Sequence, residues 1–298
     1  MTTKSIVIIG AGKLAFSLSS ALIKSGYKVQ SVISRKLSSA KSLANKFLIA
    51  HHSSSLNNIP NDVDIFFLTV PDGEIRITAE KLSKLKRDFR NTMCVHFSGV
   101  ENIEALHPLA RKGCSIGSLH IMQTFPSKKI VELKNSSAAL ETDDKKVISF
   151  SNQLCKKLGL KSFRINSDEK VFYHLAGVYS SNFLVGNLFN AFSLFISKDK
   201  NQTNIFRSTS YSTIKNVFDL NPAKSLSGPI DRADIYTIKK HINALDNKIK
   251  LSKSYRLKLL RKNYIIQSLS LLEVVKAKYG KLSAKHLEIE KFLKSKLD

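Results

Sequence analysis

A chain of 298 residues with 43% apolar side chains can bury two sizeable cores, and no run approaches the ~20 apolar residues that cross a membrane as a helix. Its net charge of +25 comes from lysines spread along the whole length, with no finger or aromatic RNA-binding motif beside them, which disfavours a nucleic-acid partner and leaves a basic surface suited to phosphorylated or carboxylate ligands. The opening Met1-Thr-Thr-Lys4 leaves no room for a secretory leader, and Cys94, Cys114 and Cys155 lack metal-ligand spacing, so a cytoplasmic protein with reduced thiols and no metal is expected.

Residues 5–9, Ser-Ile-Val-Ile-Ile, form a short β-branched run that suits a strand buried on both faces. Gly10, Ala11, Gly12, Lys13, Leu14 and Ala15 follow, and Leu14, Leu18, Ala21 and Leu22 recur at helical spacing. The pattern Gly-x-Gly-x-x-Ala between a strand and a helix is the dinucleotide-binding fingerprint. Gly10 can make the turn, Gly12 can let backbone approach a pyrophosphate, and the helix N-terminus offers free N–H groups to it. A tight turn that binds nothing is the alternative.

Residues 27–33 read as a second strand, ending in Ser34-Arg35-Lys36-Leu-Ser38. A site for NAD usually places Asp or Glu here, for the ribose 2′-hydroxyl. This chain has hydroxyls and two cations instead, which suits the 2′-phosphate of NADP. An ordinary basic loop, with Ser38 as helix cap, is the other reading. His51 and His52 lie in a polar connection and are expected at the surface. Residues 63–70 are the next buried strand, and Val70, Pro71 and Asp72 follow at the edge where open α/β sheets bind ligands. Residues 93–99 end at that same edge in Ser98 and Gly99. Residues 115–120, 137–140 and 160–165 are further strands, and a helix over 145–158 stops at Gly159. Strand and helix alternate, so a mostly parallel sheet is expected.

The pattern changes near Ser167. A long helix capped by Ser167 or Asp168 is expected to reach about Ser197, with a polar stretch over 198–204 and further helices near 210–220, 231–247, 251–278 and 283–296. The fold class expected is an α/β dinucleotide-binding domain with a mostly parallel sheet over 1–167, followed by an all-α helical domain over 168–298 for substrate binding and dimerisation.

Three constellations can carry chemistry. On the long helix, Lys170, His174, Gly177 and Ser181 fall in one stripe, with Asn182 on its shoulder. That stripe suits a cleft, while Phe172, Leu175, Val178 and Phe189 on the other side are expected to pack; a solvated polar face is the alternative. The second runs from Ser227-Gly228-Pro229 through Asp231, Arg232 and Asp234 to Thr237 and His241, with Asp231 expected to cap a helix. Arg232 suits either a ligand carboxylate or phosphate, or a structural ion pair with Asp234. The third is His120-Ile-Met-Gln-Thr-Phe125, where His120 can exchange a proton near neutral pH.

At these places the sequence resembles Rossmann-like proteins that carry the domain of unknown function numbered 2520. These are similar to pyrroline-5-carboxylate reductase, ketopantoate reductase and 6-phosphogluconate dehydrogenase-like enzymes. The matching pieces are Gly10 to Ala15, His96-Phe-Ser98-Gly99, Gly117 to Phe125, Tyr173-His174 with Ser181-Asn182, and Ser227 to Asp234 with His241. This chain has Ile121 where the usual pattern has Pro, and Ala233 where it has Gly. The resemblance implies a two-domain, NADP-linked oxidoreductase fold whose helical domain often dimerises.

The function expected is hydride transfer between NADP(H) and a small, anionic carbonyl or imine compound bound between the domains. Lys170, His174, His120 and Asn182 are the expected catalytic residues, with Lys170 or His174 as the acid. Ser181, Arg232, Asp234 and His241 are expected against the substrate. The nicotinamide is expected near Val70, Pro71, Asp72, Ser98 and Gly99. A non-catalytic NADP(H) sensor is the rival.

Overall fold

The computed structural model describes residues 4–195 and 202–297. Two compact units divide it, Met1–Leu184 and Val185–Asp298.

The first unit is built on eight strands: β1 (Ser5–Ile9), β2 (Lys28–Ile33), β3 (His51–Ser53), β4 (Ile65–Leu68), β5 (Met93–His96), β6 (Ser115–Ile121), β7 (Ser137–Glu141) and β8 (Lys161–Arg164). Their order across the sheet is β3-β2-β1-β4-β5-β6-β7-β8. Every pair is parallel except β6 with β7. The order reverses between β1 and β4, and a crevice opens there at the carboxyl ends of the strands. β1, β4 and β5 are buried throughout, with Ser5 and His96 the polar residues among their apolar side chains.

Helices α1 (Lys13–Lys24), α2 (Leu37–Phe47), α3 (Ile75–Ser83), α4 (His107–Ala110) and α5 (Lys145–Leu158) cover the sheet. Asp144 caps α5 by accepting from the Lys146 and Val147 N–H groups, and Gly159 ends it at φ 69°. α2 starts earlier than its sequence suggests. Lys36 is its N-cap residue, and Ser38 lies inside the first turn. The two adjacent histidines are not in a plain connection. His51 and His52 belong to β3, whose pairing with Ser31 and Val32 of β2 supplies order that three polar residues do not encode locally.

After β8 come α6 (Ser167–Gly177), a π-helical turn (Val178–Asn182) and α7 (Phe183–Leu194). Asn166, rather than Ser167 or Asp168, is the N-cap residue, and the Glu169 carboxylate accepts from its N–H. The expected helix end near Ser197, and most of the polar stretch over 198–204, lie outside the described residues. The apolar positions expected to pack are largely exposed: Phe172 is 74%, Leu175 44% and Phe189 59% accessible.

The second unit continues with α8 (Gln202–Ile205), α9 (Arg207–Leu220), α10 (Pro222–Ser225), α11 (Ile235–Ser252), α12 (Tyr255–Tyr279) and α13 (Ala284–Lys294). Ile238 and Ile242 of α11, Ile265, Leu272 and Val275 of α12, and Ile289 and Leu293 of α13 form its core with Ile230. Among the described residues, no helix is long and apolar enough to cross a membrane.

Candidate functional site

The turn after β1 shows why two glycines stand there. Gly10 has φ +107°, and a Cβ on it would lie 2.5 Å from the Thr69 carbonyl oxygen at the end of β4. The strand ends are tied together at this point. Gly10 donates its N–H to Ile33 O (2.7 Å), and the Thr69 hydroxyl donates to Gly10 O (2.6 Å). Gly12 differs, since among the described residues a Cβ there would meet only Thr69 O, at 3.6 Å. The space above Gly12 is therefore not filled by protein. Gly12 is also the N-cap residue of α1 and gives it no side-chain cap, so the first N–H groups of this twelve-residue helix remain available to an anion.

A cavity of about 570 Å3 opens from this turn. It brings together Gly10, Ala11 and Gly12 with Ser34, Arg35, Lys36, Val70 and Pro71. Its polar wall also holds Ser39, Ser54, Ser55, Asn57 and Lys81, which the sequence pattern does not single out, together with Thr69, Thr78 and one carboxylate, Glu74. Ser54, Ser55 and Asn57 arrive there because β3 brings its following loop beside the end of β2. Lys13, Leu14, Asp72, Ser98 and Gly99 are not in the lining. Arg35 is 3.5 Å from Glu74, but both side chains are open to solvent, so the pair is weak and Arg35 is free to turn toward a ligand. The hydroxyls and cations beyond β2, with the open helix N-terminus, form a donor set that fits a dinucleotide carrying an additional phosphate.

Ser98 and Gly99 belong to a second cluster, at the ends of β5 and β6. A Cβ on Gly99 would overlap His174 Nδ1 and come within 2.9 Å of His120 Nε2. Two histidines from different elements thus converge on one glycine. Their rings meet edge-on at 5.8 Å, and the Tyr173 ring meets His120 at 5.4 Å. His120 Nδ1 and the Tyr173 hydroxyl are buried with no hydrogen-bond partner among the described residues. Burial first, then the neighbouring His174 and Lys170, lowers the His120 pKa to about 4, so at neutral pH His120 is an uncharged imidazole.

The turn itself is fixed from below by His96, which is fully buried. Ser98 N–H can only donate, so His96 Nδ1 accepts from it (3.2 Å), and His96 Nε2–H donates to Asn102 O (3.2 Å). Burial chiefly, with Lys170 nearby, lowers its pKa to about 3.

Lys170 does not face the crevice with a free amine. It is 1% accessible, and its Nζ donates to Glu101 O, to Ser118 Oγ at 2.5 Å and to Glu141 Oε2 at 2.8 Å. An ammonium has three N–H groups, so all three are committed. Glu141 was missed in the sequence. The available signal was a single carboxylate ending the otherwise uncharged run Ser137-Ala-Ala-Leu. Gly177, one turn beyond His174, lets Met122 approach, and a Cβ there would lie 2.8 Å from its sulfur. Ser181 and Asn182 lie in the π-helical turn, a feature often found at functional sites. Ile121, in place of the usual proline, is the last residue of β6 and pairs with Ala138.

In the second unit Asp234, not Asp231, caps α11. It accepts from Thr237 N–H (3.0 Å) and Thr237 Oγ1 (2.7 Å). Asp231 instead takes Lys278 at 2.9 Å. Arg232 is exposed, and His241 Nδ1 lies 3.0 Å from the Tyr264 hydroxyl. Ala233 adopts φ +55°, the left-handed conformation that explains the glycine usual at this position. Among the described residues, no three His, Cys, Asp or Glu side chains are grouped to hold a metal ion.

Family profiles match both parts of the chain, a Rossmann-like domain over residues 2–121 and the domain of unknown function DUF2520 over 136–260. The chain is a Rossmann-like protein with a DUF2520 domain. No protein of curated function matches it. Among solved structures, it resembles a candidate NADP oxidoreductase of Bacteroides fragilis, with 23% identity over 88% of this chain and 97% of that one, at a TM-score of 0.71. A Thermotoga maritima protein shares 22% identity over 92% and 99% of the two chains, with a TM-score of 0.63. A reductive aminase of Aspergillus terreus, solved with NADPH and ethyl-5-oxohexanoate, shares 11% identity over 99% and 93%, with a TM-score of 0.58. At these identities the likeness is one of fold.

Proposed function

We propose that this Rossmann-like DUF2520 protein is a cytoplasmic, NADP-dependent oxidoreductase acting on a small, anionic carbonyl or imine compound. The observation that carries the reading is the open glycine turn beside α1, continuous with a cavity whose far wall holds Ser34, Arg35 and Lys36 and no carboxylate at the end of β2. Gly10, Ala11, Gly12 and the first turn of α1 would hold the pyrophosphate, and Ser34, Arg35 and Lys36 the 2′-phosphate. NADPH in that cavity would supply the hydride. The candidate oxidoreductase of B. fragilis and the NADPH-bound aminase of A. terreus support the same class of chemistry.

His174 is the residue we assign to proton donation, from the face it turns to Gly99. His120, uncharged at neutral pH, orients the reacting oxygen or nitrogen through a hydrogen bond. Lys170 was the other acid expected from the sequence, and its three committed N–H groups argue against that role. Ser181 and Asn182, which follow His174 in the first unit, are proposed to contact the substrate. A homodimer is proposed too, supported by the exposed Val185, Phe189 and Phe218 of the second unit.

Fluorescence titration with NADPH and NADH tests the cofactor assignment. NADPH is expected to bind at least about tenfold more tightly than NADH, and Arg35→Ala with Lys36→Ala to remove most of that preference. Equal binding of the two would refute the 2′-phosphate assignment. Cofactor binding without turnover of any keto acid, keto ester or cyclic imine would favour the sensor.

A further inference from the structure

We propose that Glu141 and Lys170 are a positioning pair that clamps the turn over residues 98–101 beneath His120 and His174. This rests on the oxidoreductase reading for its catalytic consequence, though not for its structural one.

The pair is sealed from solvent, with Lys170 1% and Glu141 3% accessible. Burying two charges is costly, and an apolar pair of similar volume is often as stable, so stability alone does not account for an ion pair here. What the pair does beyond stability is visible in its partners. Lys170 Nζ gathers three segments: the turn after β5 through Glu101 O, β6 through Ser118 Oγ, and the end of β7 through Glu141. Glu141 Oε1 gathers two more, accepting from Ser167 Oγ at the start of α6 (2.7 Å) and from Ile103 N–H (3.2 Å).

Each tie reaches an element that carries a site residue. Ser118 and His120 are two apart on β6 and share a face. Ser167 opens the helix that carries Lys170 and, one turn on, His174. Glu101 ends a turn whose other bonds are local. Ser98 Oγ accepts from Val100 N–H (3.1 Å) and Glu101 N–H (2.9 Å). His96 holds that turn to its own strand, the Glu101 carbonyl fastens it to α6, and Gly99 inside it is the surface both histidines touch. The pair therefore fixes the depth of Gly99 against the two rings. Other titratable groups around His120 are His96, His174, Tyr173 and Asp72; of these His96 also holds the turn, through Ser98 N–H and Asn102 O, but it does not reach β6, β7 or α6.

Amide hydrogen exchange and steady-state kinetics on the full chain test this in Glu141→Gln, Lys170→Met and the apolar double variant Lys170→Met/Glu141→Leu. In the single variants, the Val100 and Glu101 amides are expected to exchange at least about tenfold faster, beyond any change shared with Phe67 and Val95 of the sheet core. kcat is expected to fall about tenfold or more while KM and NADPH affinity stay within about twofold. The double variant has no unpaired charge and decides the matter if a single variant does not fold. It is expected to regain the thermal midpoint but not the protection of Val100 and Glu101. Wild-type protection of those amides in the double variant, or in a folded single variant, would overturn the proposal. If the wild type neither binds NADPH nor turns over a substrate, the oxidoreductase reading fails, and the exchange results still decide whether the pair clamps the turn.

Discussion

Lys170 Nζ lies 2.8 Å from Glu141 Oε2 inside the first unit, although the two are 29 positions apart in sequence. Burial pushes the Lys170 pKa down, and the Glu141 carboxylate opposes that push. Each charge depends on the other. Glu141→Ala or Lys170→Ala, which leaves one charge buried alone, is expected to cost about 3–5 kcal/mol, read by urea unfolding. Restoring matched apolar volume at both positions should recover most of it. A loss under about 1 kcal/mol for either single variant would mean that water reaches the pair.

The two opening glycines should respond in opposite ways. Gly10→Ala meets a positive φ and backbone oxygen at 2.5 Å, so it should destabilise the fold by about 2 kcal/mol or more. Gly12→Ala has room in the protein, with its nearest contact at 3.6 Å. It should fold almost normally yet lose about tenfold or more in NADPH affinity, because its methyl occupies the approach to the helix N-terminus. Thermal melts and cofactor titration of the two variants separate these effects. An unaltered affinity in Gly12→Ala would place the phosphates elsewhere.

Acid should destabilise this protein through fully buried His96 and half-buried His120. His96 and His120 have folded pKa values of about 3 and about 4, below the ordinary 6.5. Between pH 6.5 and 4 the unfolded chain therefore binds protons that the folded chain refuses. Stability is fully present above 6.5 and falls as pH drops, by up to about 1.4 kcal/mol per pH unit for each histidine. Urea unfolding from pH 7 to 4.5 should show that slope, and His96→Gln should reduce it. A flat profile would contradict the burial assigned to both rings.

Ala233 stands at φ +55°, where an L residue is strained. Ala233→Gly should relieve that strain and raise stability by up to about 1 kcal/mol, despite the greater flexibility of the unfolded chain. A differential scanning measurement is sufficient, and a lower midpoint would show that the methyl contributes packing greater than the strain.

Much of the architecture is written locally. The run Ser5 to Ile9, two glycines and the helical spacing after them determine a strand, a turn and a helix within twenty residues, because each depends on neighbours in sequence. Asp144 and Gly159 mark both ends of α5 in the same way. The change from alternating elements to helices alone is visible near Ser167 for the same reason, as is the basic end of β2.

Tertiary structure decided what depends on distant partners. Lys170 reads as a cleft-facing acid in a helical stripe and becomes a committed donor only when β6, β7 and the turn after β5 meet it. Asp231 has the spacing of a cap, yet Lys278 claims it and Asp234 does the capping. β3 exists because β2 offers an edge, not because His51-His-Ser53 prefers a strand. His120 and His174 are 54 positions apart and face one glycine because β6 ends beside the Gly99 turn, while α6, tied through Ser167 and Lys170 to Glu141 and Ser118, carries His174 to the same place. Local spacing fixes which face a residue takes on its own element, and only packing chooses what that face meets.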